Sequence, residues 1–95
     1  MCYEIKNIDY NIEVILNGII NVREATAIRQ KLFPLLQQGF RSLTFHLGMV
    51  TDMDSSGLGL LLASQKMAND CDATIAFNNV PEQIKERLYA VGIDL

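Results

Sequence analysis

One histidine, two cysteines and no clustering of lysine and arginine leave this 95-residue chain with few of the groups that most enzyme chemistry needs. His46, Cys2, Cys71 and scattered carboxylates offer no metal-ligand spacing, and no Cys-x-x-Cys pair exists. No cofactor is expected. A single cysteine pair among so many apolar residues is not a disulfide framework, so both thiols read as reduced. The net charge of -3, with its eight basic residues dispersed, argues against electrostatic capture of nucleic acid. Long apolar runs are missing too: the longest, Leu58 to Ala63, is broken by Gly59 and is far too short for a bilayer, so no membrane insertion is expected. Glu4, Lys6 and Asp9 interrupt any apolar leader, which predicts a cytoplasmic protein. There is no Gly-x-Ser-x-Gly elbow, and no Gly-Lys-Ser/Thr follows Gly57-Leu58-Gly59. Ser55 with His46 as its base would be the one route to a small hydrolase, and no second histidine supports it.

What is present is ordinary material for a small globular unit, 49% apolar and 20% charged, and residues 1–95 read as a single domain. Tyr3 to Ile8 and Ile12 to Leu16 are β-rich runs around Asp9-Tyr10-Asn11, which predicts an antiparallel hairpin. Val22 to Gln38 places Ala25, Ile28, Leu32 and Leu35 or Leu36 on one stripe, the pattern of an amphipathic helix. Pro34 predicts a kink or early stop near Phe33, with Gly39 closing the helix. Ser42 to Leu47 is a strand candidate in which alternation turns His46 away from Phe45 and Leu47, and Gly48 to Asp54 reads as a loop. A second helix, Ser56 to Asn69, carries Leu58, Leu61, Leu62, Gln65 and Ala68 at helical spacing. Ala73 to Phe77 reads as a strand and Asn78-Asn79 as its end. Pro81 sits near the first turn of a last helix with Ile84, Leu88 and Val91 on one side and Gly92 at its close. The order β-β-α-β-α-β-α predicts an α/β fold: a mixed sheet, opened by an antiparallel hairpin, with helices packed on it.

The stretch with most chemical content is Asp54-Ser55-Ser56-Gly57-Leu58-Gly59 at a helix start. Unpaired amides and the positive end of the helix dipole favour an anion there, so a phosphate on Ser55 or Ser56 would be partly neutralised. The plainer role for a serine in that position is capping, worth about 1 kcal/mol. Gly57 and Gly59 have two readings: close packing of helix on sheet, or bare backbone that lets a partner approach the serine. Asn21 followed by Glu24 is close to a capping box. Met49 and Met53 in the preceding loop either face a partner or cover the core.

Met53-Asp54-Ser55-Ser56-Gly57-Leu58-Gly59 after a strand, Leu16-Asn17-Gly18 before the first long helix, and the closing Pro81 helix with Gly92-Ile93 together resemble a STAS domain. The resemblance is to the bacterial anti-anti-sigma factors, or anti-sigma factor antagonists, and it spans almost the whole chain. It implies that Ser55 accepts a phosphate and that Ser56 is its neighbour; Asn21, Met49, Met53 and residues 54–59 around that serine are the candidate partner-binding residues. It further implies partner exchange without catalysis by this chain. The unphosphorylated form would bind an anti-sigma factor that is also a serine kinase of the histidine-kinase-like ATPase type. Phosphorylation would end that binding and a PP2C-type serine phosphatase would restore it. Asn21 stands where many members carry an aspartate, Ile19 where an acid is frequent, and Asp52 where a bulky apolar residue is common. The same resemblance admits a second class, an unphosphorylated STAS adaptor docked on a machine such as a lipid-transport ABC ATPase.

Overall fold

The computed structural model describes residues 2–95. Strand β1, Tyr3–Ile8, pairs antiparallel with β2, Asn11–Ile20, in the register Ile8 to Asn11 through Tyr3 to Leu16. The connection is a two-residue turn, shorter than the sequence suggests, with Asp9 and Tyr10 both at positive φ (53° and 67°). That geometry matches the right-handed twist of the strands, and Asn and Asp tolerate it better than most residues. Asn11 belongs to β2, where its Oδ1 accepts from Ser42 Oγ at 2.8 Å.

Helix α1, Val22–Gln37, follows, then β3, Ser42–Met53, α2, Ser55–Asp70, β4, Thr74–Asn78, and α3, Glu82–Ala90. The sheet order is β1-β2-β3-β4, with β2, β3 and β4 parallel. The mixed sheet and its opening hairpin therefore form as the residue pattern requires. Alternation sends Ile12, Val14 and Leu16 of β2 and Leu43, Phe45 and Leu47 of β3 into the core. Phe45 stacks on Phe77 of β4 with ring centroids 5.6 Å apart. On the opposite face His46 Nε2 meets Glu13 Oε1 at 2.7 Å, so the histidine does point away from its two neighbours.

Several expectations are corrected. Helix α1 runs through Pro34 without stopping at Phe33. Pro34 and Gln30 are both exposed, so the carbonyl that loses its helical bond has access to water. Ala25, Ile28, Leu32 and Leu36 form the buried stripe, and Gly39 at φ 98° follows the helix end. The buried stripe of α2 is Gly57, Leu60, Leu61, Ser64 and Ala68, so Leu58, Leu62 and Gln65 lie at its flanks. Ser64, the buried polar residue of that stripe, donates to the Leu60 carbonyl at 2.8 Å. Val91 lies beyond α3 and is exposed, whereas Ile93 is buried and its amide returns to the Leu88 carbonyl at 2.9 Å. This is a Schellman closure around Gly92.

The segment Gly48 to Met53 is strand, not loop. It continues the parallel pairing of β3 with β2 through register shifts between Ile15 and Asn17 and between Gly18 and Ile19. Gly18 sits at φ 75° beside the second shift, a conformation that favours glycine at a bulge.

Candidate functional site

Because β2 and β3 are in register as far as Ile20 and Met53, the residues that follow, Asn21 and Asp54, stand side by side. Each caps a helix. Asn21 Oδ1 accepts from the amides of Arg23 (3.0 Å) and Glu24 (3.4 Å) at the start of α1. Asp54 Oδ1 accepts from Ser56 (2.9 Å) and Gly57 (3.1 Å) at the start of α2. The Asp54 amide donates to the Ile20 carbonyl at 3.2 Å, joining the end of β2 to the second cap.

Ser55 is thus the first helical residue and not the cap. Asp54 takes the capping role by accepting from the Ser56 and Gly57 amides, and the Ser55 side chain is exposed. Ser56 is half-buried. The expectation that free amides neutralise an anion on Ser55 is weakened, because two of them already bond a carboxylate. A phosphate here meets the Asp54 charge at close range.

Gly57 is buried under the sheet. A Cβ at that position would lie 2.4 Å from Met53 Cγ and 3.0 Å from the Ile20 carbonyl oxygen, so its reading is close packing and not access for a partner. Met53 is likewise in the core, at 1% exposure, and does not contribute to a partner-facing patch. The reason is the strand: with β3 extended to Met53, that side chain falls on the helix-covered face. Gly59 and Leu58 are half-buried on α2, and a Cβ on Gly59 would approach Arg29 Nη2 of α1 at 3.5 Å. Met49 is exposed at 71%, and Ile19 and Val22 are exposed as well, so three apolar side chains stand open near the carboxyl ends of β2 and β3. Ile19 and Val22 were not singled out as partner residues by the sequence pattern. The signal was the consecutive Ile19-Ile20 at a strand end, where alternation must turn one of the two outward.

Asp52, the register partner of Ile19, is bound by α3: Arg87 Nη1 donates to Asp52 Oδ1 at 2.6 Å and to the Met53 carbonyl at 2.6 Å. The Arg87 hydrogen bond, then the Met53 amide bonded to the same carboxylate, hold the Asp52 carboxyl below the usual carboxylate range. The exposed Ser55 therefore follows directly on the capping Asp54, while Asp52, three residues earlier in the chain, is tied to α3.

His46 is seven residues before Met53 on β3, roughly 20 Å along the strand, and it is bonded to Glu13. It does not reach Ser55, so the structure does not assemble a Ser55–His46 pair. Among the described residues no group of three His, Cys, Asp or Glu side chains converges as a metal site. Cys2 and Cys71 are both free, and burial pushes the Cys2 thiol up, with Glu24 adding to the effect. Among the described residues no helix is long and apolar enough to cross a membrane.

The mixed sheet with its opening hairpin and covering helices is an arrangement shared with STAS domains. The family profile described as "Mlab, STAS domain" matches residues 9–95, and the chain belongs to that family. Among curated relatives it is 33% identical over 90 residues to the anti-sigma-B factor antagonist of Bacillus subtilis (strain 168), covering 95% of this chain and 82% of that protein. It is 32% identical over 81 residues to the anti-sigma-B factor antagonist of Staphylococcus epidermidis, covering 85% and 75%. Two solved structures share the fold. SpoIIAA of Bacillus in its phosphorylated form superposes with a TM-score of 0.85 at 18% identity, over 96% of this chain and 84% of that one. SpoIIAA in its unphosphorylated form gives 0.77 at 23% identity, over 88% and 79%.

Proposed function

We propose that this protein is a cytoplasmic anti-sigma factor antagonist, a regulatory binding module and not an enzyme, whose partner is released by phosphorylation of Ser55. The observation that carries this reading is the division of labour at α2: Asp54 caps the helix, and the next side chain, Ser55, is exposed. The named relatives and the existence of SpoIIAA in two phosphorylation states support it.

The mechanism follows from charge and desolvation. A phosphate adds about -1.5 to -2 charges, taking the chain from -3 to about -5. The adjacent Asp54 carboxylate repels the added charge, and the Ser56 and Gly57 amides that it already bonds offer that charge little gain. The fold keeps its packing, because Ser55 is outside the core. A partner surface seated over Ser55 and the exposed Ile19, Val22 and Met49 must desolvate that charge and loses contact.

The partner is an anti-sigma factor with serine-kinase activity of the histidine-kinase-like ATPase type, and a PP2C-type phosphatase resets the site. Asn21, Asp54, Ser56, Leu58 and Gly59 surround the contact. A capture assay with the cognate kinase-type partner tests this: Ser55→Ala is expected to bind as the native chain does and Ser55→Asp to bind weakly. Equal capture of both removes Ser55 as the control point.

A second reading has one observation in its favour, the uncharged Asn21 beside the site and its full use as the cap of α1. In it the domain is a constitutive adaptor on a larger ATPase assembly, as in lipid-transport ABC systems. Its signature is a partner that co-purifies regardless of growth condition and of the Ser55 side chain.

A further inference from the structure

Strand β1 is one edge of the sheet, and its register decides which backbone groups remain free. A two-residue turn joins the register partners Ile8 and Asn11, and the Cys2 carbonyl accepts from the Asn17 amide at 2.8 Å. In an antiparallel ladder, hydrogen-bonded pairs alternate with non-bonded ones. Cys2, Glu4, Lys6 and Ile8 therefore direct their backbone groups to β2, and Tyr3, Ile5 and Asn7 direct theirs to the open edge.

We propose that this edge pairs antiparallel with the same edge of a second copy of the chain, about a two-fold axis at Ile5. The two four-stranded sheets then become one continuous sheet. In that register Ile5 faces Ile5 of the second copy, and Tyr3 faces Asn7, in hydrogen-bonded pairs that use the outward groups of both strands. Glu4 faces Lys6 of the second copy, and Lys6 faces Glu4, in the closer non-bonded pairs where side chains interact most.

The charge pattern makes the edge self-complementary. An acid and a base placed symmetrically about Ile5 meet their opposites on both sides of the axis. Like charges there would repel their own image, which is one way edge strands are protected. Within one chain Lys6 Nζ and Glu4 Oε2 are 3.6 Å apart and both side chains are about half-exposed or more, so neither is spent on a buried bond.

The space beside the strand fits the same occupant. Tyr3 and Ile5 are half-buried against the core, and with Lys31 and Leu35 of α1 they line an apolar groove of about 420 Å³. A two-fold axis normal to the sheet places the second copy's Tyr3 and Ile5 on the same, helix-covered face, next to that groove. Ser55 follows β3, and β2 separates β3 from this edge, so the pairing leaves the serine site uncovered. The inference is independent of phosphorylation.

Sedimentation equilibrium over a concentration series, with reductant present because Cys71 is exposed, tests it. The native chain is expected to rise from 10.6 kDa toward twice that mass. Glu4→Lys alone and Lys6→Glu alone each set like charges opposite one another, and each is expected to associate on the order of tenfold more weakly. An equimolar mixture of the two variants places opposite charges face to face again and is expected to recover dimer. Circular dichroism matching the native spectrum separates this from unfolding. A native chain that stays at 10.6 kDa up to millimolar concentration, or variants that dimerise as well as the native chain, overturns the proposal.

Discussion

Arg87 and Asp52 are 35 residues apart in sequence and 2.6 Å apart in space, and the same guanidinium nitrogen also reaches the Met53 carbonyl. One side chain from the last turn of α3 thus holds the end of β3, two residues before the cap of α2. Replacing Arg87 with alanine is expected to free that strand end. Hydrogen exchange at Met53 to Ser56 should quicken while the core strands keep their protection.

The same pair makes a pH-dependent claim with a definite sign. The Arg87 hydrogen bond lowers the folded carboxyl of Asp52, so the contribution of the pair is present above the unfolded carboxylate value of about 3.9. It is lost as pH falls through the lowered folded value. Carbon NMR titration of the Asp52 carboxyl is expected to show a midpoint below the usual range in the native chain, moving back toward it in Arg87→Ala. Both groups are well exposed, so the effect on global stability should be small.

Capping falls on Asp54 and the proposed phosphate acceptance on the adjacent Ser55, and denaturant unfolding can separate the two roles. Asp54→Ala is expected to cost about 1 kcal/mol by releasing the Ser56 and Gly57 amides. Ser55→Ala should leave stability within about 0.5 kcal/mol, as for a surface substitution. Equal losses would mean that Ser55 has a structural role.

Gly57 has no room for a side chain. With Met53 Cγ 2.4 Å and the Ile20 carbonyl 3.0 Å from a built Cβ, Gly57→Ala must displace Met53 or lift α2 from the sheet. A loss of about 1–3 kcal/mol in urea unfolding is expected. Gly59→Ala, which would meet only the Arg29 guanidinium at 3.5 Å, should be near neutral or gain helix propensity.

The architecture was legible because most of it rests on regular periods. Ala25, Ile28, Leu32 and Leu36 follow a helical spacing, and Leu43, Phe45 and Leu47 follow a strict alternation. The reading failed where the period breaks. After Leu47 the buried residues of β3 are Val50 and Met53, three apart, because the pairing with β2 shifts register twice. A spacing of three with Gly48 at its head looks like a loop, and only the neighbouring strand reveals it as sheet. The serine was found from its neighbours Asp54, Gly57 and Gly59, but the assignment of the cap to Asp54 needed coordinates. Met53 and Met49 are chemically alike, and strand geometry alone buries one and exposes the other. The link from Arg87 to Asp52 carries no local pattern, since it depends on how α3 docks.

Intact-mass analysis of the protein from its native cells tests Ser55 as the control point most directly. A fraction heavier by one phosphate is expected, present in the native chain and in Ser56→Ala and absent from Ser55→Ala, with only the lighter species retained on the kinase-type partner. Uniformly unmodified protein under every growth condition, or a phosphate that maps elsewhere and persists in Ser55→Ala, contradicts it.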